Sequence, residues 1–218
     1  MTRDWLIATG LFLLALGLNL GAVEQSPLHP DETRWLHRAH YLRNLTDPFG
    51  PTWRDGYLTR GQPPLGSYLM GAGLVVQGRD LETNGVWEFR HDEALNRARG
   101  NMASPADLAA GRRTNAVVGA LAVAVVYLAG ALLTNRIGGV AGALLLATHP
   151  LMLLLSSQAL SDALLVLCLA VALLAGCRLG TRPDWRSAFV LGIALGLGGA
   201  TKLSPLLLSL PLAGLGLV

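Results

Sequence analysis

The sequence predicts an all-α polytopic membrane protein. We expect a helical bundle of about six spans that forms one membrane domain, residues 1–218, with a large first extracytoplasmic loop, residues 24–112, carrying interfacial helices. Of the 218 residues 52% are hydrophobic and 14% charged, against about 25% charged in an average soluble domain. The charges are also segregated, because residues 24–113 hold eleven of the seventeen basic and eleven of the fourteen acidic side chains.

Apolar runs of nearly the length that a crossing helix needs, about 20 residues, account for the spans. The first run is longer than the apolar core of a signal peptide, about 7–15 residues, which favours a retained anchor. The last two runs are shorter and are separated by a turn at Thr201–Pro205. The predicted spans are Trp5–Val23, Ala116–Leu133, Ile137–Leu155, Ala159–Cys177, Ala188–Ala200 and Leu203–Val218.

Pro64–Val76 is apolar but only 13 residues long, so it could cross the membrane or lie on its surface. If it crossed, Arg136 and the loop from Arg178 to Arg186 would face outward. If it lies at the interface, Arg3, Arg136 and that loop share the cytoplasmic side, as the excess of Lys and Arg in short cytoplasmic loops requires. We therefore predict an interfacial helix, and an outer face that carries the ends of the spans near Val23, residues 155–162 and residues 201–205.

Glycines recur one helical turn apart in two of the predicted spans, as Gly138–Gly142 and Gly192–Gly196. This spacing suits close packing of helices, so we expect these glycines to have a structural role.

The stretch "LHPDETRW", residues 28–35, follows the first span on the predicted outer face. It can be read as a helix start, since proline fits the first helical position and acids in the first turn favour the helix dipole. That reading leaves the crowding of His29, Asp31, Glu32 and Arg34 at a membrane surface unexplained. The stretch alone does not decide between a structural and a functional role.

Two further ionisable residues are predicted at the same face. Asp162 falls in the first turn of the fourth span, where it is either a helix cap or a functional carboxylate, because ionisable groups in spans usually face the bundle interior. Lys202, the only lysine in the chain, lies at the outer end of its span, where it could also extend to the headgroups. Carboxylates beside a cation suit group transfer from a lipid-linked phosphate: one carboxylate accepts a proton from the acceptor, and the cation stabilises the departing phosphate.

The order of these segments resembles the N-terminal half of the GT-C glycosyltransferases, most closely the protein O-mannosyltransferase and aminoarabinose transferase group. The resemblance rests on "HPDE", "QPPLGSYLMG", "GRRTNAVVGALAVAVVYLAGAL", "ATHPLMLLLSSQALSDALLVL" and "GGATKLSPLLL". It covers nearly the whole chain. Members of that family usually have more spans and a soluble C-terminal part, whereas this sequence stops at Val218 within an apolar run, as a fragment or a truncated form would.

The resemblance implies roles for individual residues. Asp31 corresponds to the catalytic base, Glu32 to the second acid of the motif, and Asp162 to the acid at the outer end of the fourth span. Lys202 is similar to a lysine near the lipid phosphate. Pro63 and Pro64 belong to the segment near the donor, and Gln62 stands where relatives often have His or Lys; together with Arg34 these residues form the expected substrate-binding group.

The expected function is inverting transfer of a sugar from a polyprenyl-phosphate donor to an unidentified acceptor on a protein, lipid or glycan at the outer face of the plasma (inner) membrane. The alternative is a non-catalytic or truncated membrane protein that binds or carries a lipid phosphate. No metal ligands are assigned, although a divalent cation would be compatible with this chemistry. Nucleic acid is not an expected partner, because acids match the basic residues of the polar segment one for one.

Overall fold

The structure, a computed structural model, describes residues 2–47, 49–51 and 62–203. Every regular element within these residues is helical, which confirms the predicted all-α class. The described helices, in chain order, are α1 (Thr2–Val23), α2 (Pro30–His37), a 3-10 helix (Arg38–Thr46), α3 (Leu65–Val76), α4 (Glu93–Ala98), α5 (Pro105–Leu133), α6 (Arg136–Thr148), α7 (Pro150–Ser157), α8 (Asp162–Thr181) and α9 (Trp185–Thr201).

Three helices, α1, α5 and α8, are long and apolar enough to cross a membrane, and α6 with α7 would make a fourth span if the two are one crossing. The prediction of about six spans is therefore confirmed only for three or four. Helix α9 has 17 residues and is shorter than α1, α5 and α8. Of the sixth predicted span, Leu203–Val218, all but the first residue lies outside the described residues.

The third predicted span, Ile137–Leu155, is not one straight helix. Helices α6 and α7 meet at His149 with a bend of 62°. Pro150 causes the break, because it has no N–H to continue the α6 ladder and it holds the preceding residue in extended conformation. His149 has φ −65° and ψ 126°, and its side chain accepts a hydrogen bond from the Leu151 N–H, which caps α7.

Helix α5 begins eleven residues before the predicted span, so residues 105–112 belong to a helix and not to the outer loop. Ser104 caps this helix by accepting a hydrogen bond from the Asp107 N–H at 3.1 Å, and Pro105 occupies its first turn. Asp107 is itself held by Arg79, whose Nε donates to Oδ1 at 2.7 Å. The first two turns of α5 therefore include polar residues, and Arg112 at their end is buried in the protein.

Helices α1 and α5 pack antiparallel and define two ends of the bundle. At one end Arg112 donates to the Val23 carbonyl at 2.9 Å, and at the other the Tyr127 hydroxyl donates to Asp4 at 3.2 Å. These two contacts are about 22 Å apart along α5, at about 1.5 Å per residue. This separation is most of the hydrocarbon thickness of a bilayer, about 30 Å.

Helices α5 and α6 approach each other closely at Gly130 and Gly139, since a Cβ at Gly130 would lie 2.9 Å from the Gly139 Cα. A Cβ at Gly139 would lie 2.7 Å from both the Ala131 nitrogen and the Tyr127 carbonyl oxygen. The predicted packing glycines are not the ones in this contact, because a Cβ at Gly142, Gly192 or Gly196 would meet nothing within 4 Å among the described residues. The nearest atoms to a Cβ at Gly138 would be those of Thr134, the residue directly after α5.

An apolar core joins the polar segment to the bundle. Its buried residues come from α2, the 3-10 helix, α3, α5 and the 158–161 segment; they include Trp35, Leu36, Ala39, Met70, Leu74, Ala110, Ala159 and Leu160. Gly66 permits close packing here, since a Cβ at this position would lie 2.8 Å from both Trp35 and Ser161. This core fixes α2 against the beginning of α8.

Candidate functional site at one end of the bundle

The motif at residues 29–32 forms the start of α2. The His29 side chain accepts a hydrogen bond from the Asp31 N–H at 3.2 Å, while the His29 N–H donates to Glu32 Oε2 at 2.9 Å. This reciprocal arrangement is a capping box, with Pro30 in the first turn. The helix-start interpretation of the motif is therefore correct, and it accounts for His29 and one oxygen of Glu32.

Asp31 and Glu32 have opposite environments. The Asp31 side chain is 39% exposed, and its Oδ2 lies 3.9 Å from His29 Nδ1, beyond hydrogen-bond distance. Glu32 is fully buried. Consecutive residues of one helix thus present an accessible carboxylate and an enclosed one.

Glu32 is enclosed by Arg112 of α5. The Arg112 Nε donates to Glu32 Oε1 and its Nη2 donates to Oε2, both at 2.8 Å, and the two side chains are 7% and 0% exposed. The Ala159 N–H donates to Glu32 Oε1 as well, at 2.7 Å. With the bond from His29, the carboxylate accepts four hydrogen bonds, and bidentate pairing of this kind fixes orientation as well as charge.

Arg112 also holds the chain between α1 and α2. Its Nη1 donates to the carbonyls of Val23 and Ser26, each at 2.9 Å, and its Nη2 donates to the Pro27 carbonyl at 3.1 Å. Arg112 was absent from the sequence predictions. An arginine four residues before a predicted span could have signalled a buried partner, but its partner is 80 residues away in the chain.

Asp162 and Lys202 form an ion pair at the same end of the bundle. The Lys202 Nζ lies 2.6 Å from Asp162 Oδ1, and the side chains are 33% and 27% exposed. Asp162 begins α8, and Lys202 directly follows α9. The predicted convergence of these two residues on one end is therefore present in the structure as a direct contact.

The structure connects Asp31 to this ion pair through Glu32. Glu32 accepts the N–H of Ala159, and Asp162 follows three residues later. Within the described residues, no hydrogen bond or ion pair joins Asp31 directly to Asp162 or Lys202. We call the part of the molecule that carries Asp31, Glu32, Arg112, Asp162 and Lys202 the site end.

The predicted substrate-binding residues lie on two elements. The Arg34 guanidinium carbon is 4.7 Å from the centre of the Phe89 ring, within cation–π distance. Gln62 is exposed, and its backbone carbonyl accepts a hydrogen bond from the Arg38 guanidinium. Pro63 and Pro64 are half-buried and lead directly into α3.

Buried hydroxyls on α3 and before α8 add groups that the sequence did not single out. The hydroxyls of Ser67, Tyr68 and Ser161 are enclosed and have no hydrogen-bond partner in the described part of the chain. Burial raises the pKa of the Tyr68 phenol, and nearby Arg38 partly opposes that shift. Because an unmade hydrogen bond at a buried group is costly, these hydroxyls are suited to a bound water or ligand.

Residues 2–47, 49–51 and 62–203 contain no group of three or more His, Cys, Asp or Glu side chains placed to hold a metal ion.

The fold and the site end together define an integral membrane protein whose ionisable groups meet where its helices end. Residues 106–217, just over half of the chain, match the family model described as dolichyl-phosphate-mannose-protein mannosyltransferase. The chain belongs to this family and is thus a membrane glycosyltransferase of the GT-C type. Neither a curated protein nor a solved structure matches it. The matched range includes Arg112, Asp162 and Lys202, whereas Asp31 and Glu32 precede it.

Proposed function

We propose that this protein transfers a sugar from a polyprenyl-phosphate carrier to an acceptor on the extracytoplasmic face of the plasma (inner) membrane, with inversion at the anomeric carbon. The acceptor presents a hydroxyl or a similar nucleophile on a protein, lipid or glycan. The observation that carries this proposal is an accessible carboxylate, Asp31, anchored through its neighbour to the end of the bundle where Asp162 holds Lys202.

Asp31 is the proposed general base. Its carboxylate takes the proton of the acceptor hydroxyl while the acceptor oxygen attacks the anomeric carbon. The bond from that carbon to the phosphate oxygen breaks, and the phosphate leaves with the electron pair. The accessibility of Asp31 supports this role, because a base must come within hydrogen-bond distance of the proton that it removes.

Lys202 is the proposed contact for the phosphate, and Asp162 holds it in place. An ammonium group has three N–H donors, so Lys202 can keep one on Asp162 and direct another to a phosphate oxygen. The charge that develops on the departing phosphate would then meet a cation that is already oriented. The half-buried setting of the pair supports this assignment, because partial exclusion of water strengthens the attraction.

Glu32 is better suited to positioning than to proton transfer. Its two oxygens accept four hydrogen bonds and its side chain is fully buried, so an acceptor hydroxyl has no access to it. We assign to Glu32 and Arg112 the task of holding α2 so that Asp31 faces the substrate. Arg34, Gln62, Pro63 and Pro64 are proposed to line the path of the substrate next to α2 and α3.

The proposed topology places the site end outside the cell. Helix α1 would then run outward, and the loop that follows it would form the outer surface together with α2, α3 and α4. The arginines at the opposite end support this orientation, since Arg136, Arg178, Arg182 and Arg186 would all face the cytoplasm. The finer prediction of about six spans remains part of this proposal.

Transfer by the purified full-length protein in proteoliposomes tests the proposal. Polyprenyl-phosphate donors with different radiolabelled sugars are supplied, and Asp31→Asn is compared with the wild type. Loss of a general base should lower the rate about 10²–10⁴-fold. The matched control is Asp92→Asn, because Asp92 caps α4 by accepting the Leu95 N–H and asparagine caps equally well.

Transfer by Asp31→Asn at the wild-type rate would remove Asp31 from the base role. If the wild type transfers no sugar from any donor and still binds polyprenyl phosphate, the enzyme assignment fails and the alternative of a lipid-phosphate binding protein is favoured.

A further inference from the structure

A cleft lies at the end of the bundle opposite the site end. Its volume is about 570 Å³, and its walls come from α1, α5 and α8. That volume falls within the range of small-molecule pockets, about 300–1,000 Å³. The apolar lining residues are Trp5, Leu128, Ala131, Leu132 and Leu174, and the polar ones are Asp4, Asn135, Arg136 and Arg178. We call this part of the molecule the arginine end.

A smaller cleft of about 120 Å³ lies between α8 and α9 at the same end. It shares Leu174 and Arg178 with the larger cleft and adds Arg186. Arg178 therefore stands between two apolar depressions, one on either side of α8. A guanidinium group in this position can serve a ligand that has a charged head and an apolar body.

Some charged side chains at the arginine end have hydrogen-bond partners, and Arg178 does not among the described residues. Arg136 is neutralised by Asp4, to which it donates from Nε at 2.7 Å and from Nη2 at 3.2 Å. Asp184 is also engaged, since it accepts hydrogen bonds from the Ser187 hydroxyl and from two backbone N–H groups. Arg178 is exposed, and its side chain has no hydrogen bond or ion pair within the described residues. The arginine end thus offers a positive charge that no acid in the described part of the chain pairs with.

We propose that the cleft at the arginine end binds an anionic phospholipid, with the lipid phosphate on Arg178 and an acyl chain between α1, α5 and α8. Guanidinium groups bind phosphate oxygens in pairs, which gives the headgroup a defined seat. Basic pockets between transmembrane helices are a known setting for anionic lipid headgroups. The apolar walls distinguish a lipid from a free anion, because inorganic phosphate has nothing to place against leucine and tryptophan.

The location also suits a lipid. Along α8, Arg178 is about 24 Å from Asp162 at about 1.5 Å per residue, so the two ends of the bundle lie near opposite surfaces of a bilayer about 30 Å thick. The headgroup would therefore bind at one surface while its chain enters the membrane interior. This inference does not depend on the proposed transfer reaction, since it uses none of the residues of the site end.

Native mass spectrometry of the full-length protein tests the lipid site. The protein is equilibrated with equal amounts of phosphatidylglycerol and phosphatidylcholine in mild detergent, and the retained lipids are counted. The wild type should retain phosphatidylglycerol in preference, and Arg178→Gln should reduce that preference about tenfold, as expected for one lost contact between charged groups. Arg90→Gln is the matched control, because it removes the same charge from an exposed position outside both clefts.

Two further arms separate the headgroup from the chain. Leu174→Trp places a larger side chain in the lining that the two clefts share and leaves Arg178 in place. It should lower retention of phosphatidylglycerol because less space remains for the acyl chain. Inorganic phosphate at about 10 mM should not displace the lipid, because a free anion gains nothing from the apolar walls. Equal retention of the two lipids by the wild type, an unchanged preference in Arg178→Gln, or displacement by phosphate alone would each overturn the proposal.

Discussion

Replacing Arg112 with glutamine should destabilise the protein strongly, because it leaves the Glu32 carboxylate buried without its counter-ion. The two side chains are 7% and 0% exposed, and their two hydrogen bonds are 2.8 Å long. Removing one partner of a buried ion pair costs about 3–5 kcal/mol. Two backbone N–H groups, those of His29 and Ala159, still donate to the carboxylate, so the lower part of that range is the better expectation.

The carbonyls that Arg112 satisfies add to this cost. The oxygens of Val23, Ser26 and Pro27 each lose a donor, and a buried polar group without a partner costs about 1–3 kcal/mol. A double variant, Glu32→Gln with Arg112→Gln, removes the unpaired charge but not this second loss. It should therefore recover only part of the stability lost in the single variant.

Thermal unfolding in detergent, followed by intrinsic fluorescence, measures the effect. A loss of about 3–5 kcal/mol lowers Tm by roughly 10 °C in a chain of this size. The control is Arg97→Gln, which breaks an Arg97–Glu93 bridge of 2.9 Å between side chains that are 60% and 55% exposed. An exposed pair of this spacing contributes about 0.3–0.5 kcal/mol, so Tm should fall by no more than about 2 °C. Equal shifts in the two variants would refute the argument that burial makes the Glu32–Arg112 pair important.

Three other outcomes are expected. Gly139→Ala should cost about 1–3 kcal/mol, because its Cβ would meet α5 backbone, whereas Gly142→Ala in open space should be neutral or slightly stabilising; equal Tm values for the two would contradict the close contact. Lys202→Gln should reduce transfer at low donor concentration about tenfold, with Lys202→Arg retaining most of it, since arginine keeps the positive charge that pairs with the phosphate and glutamine does not; an unaffected KM in Lys202→Gln would exclude that contact. Hydrogen bonds from the Ser187 hydroxyl and backbone lower the pKa of Asp184, so its carboxylate stabilises the fold above its unfolded pKa of about 3.9 and loses that effect as the pH falls below it. Between about pH 6 and pH 3 the wild type should therefore lose more Tm than Asp184→Asn, and parallel losses would show that Asp184 does not contribute.

Apolar run length predicted α1, α5 and α8 because the bilayer sets a minimum length for a spanning helix. Run length did not predict where α5 begins or that the third predicted span is broken. Helix α5 begins at Pro105 since capping by Ser104 extends it through polar residues that find buried partners. The run from Ile137 to Leu155 is divided at His149 because an apolar count does not register the hydrogen bond that Pro150 removes.

The site was predicted in part. The spacing of the apolar runs placed Asp162 and Lys202 at one end, and the structure has them 2.6 Å apart. The burial of Glu32 was not predicted, because it depends on an arginine 80 residues later and on a backbone N–H 127 residues later. Hydrophobic periodicity and spacing describe residues that are close together in the sequence. The contacts of Glu32 instead form only when α2, α5 and the 158–161 segment pack together. The catalytic role of Asp31 stays a prediction.

The network around Glu32 also sets an order of events during synthesis. Arg112 leaves the ribosome 80 residues after Glu32, and Ala159 leaves 127 residues after it. Until both have arrived, the short helix that bears Asp31 has its apolar contacts with α3 but lacks the hydrogen bonds that Arg112 and Ala159 donate to Glu32. A nascent chain therefore carries its proposed base on a helix whose buried ion pair has not yet formed.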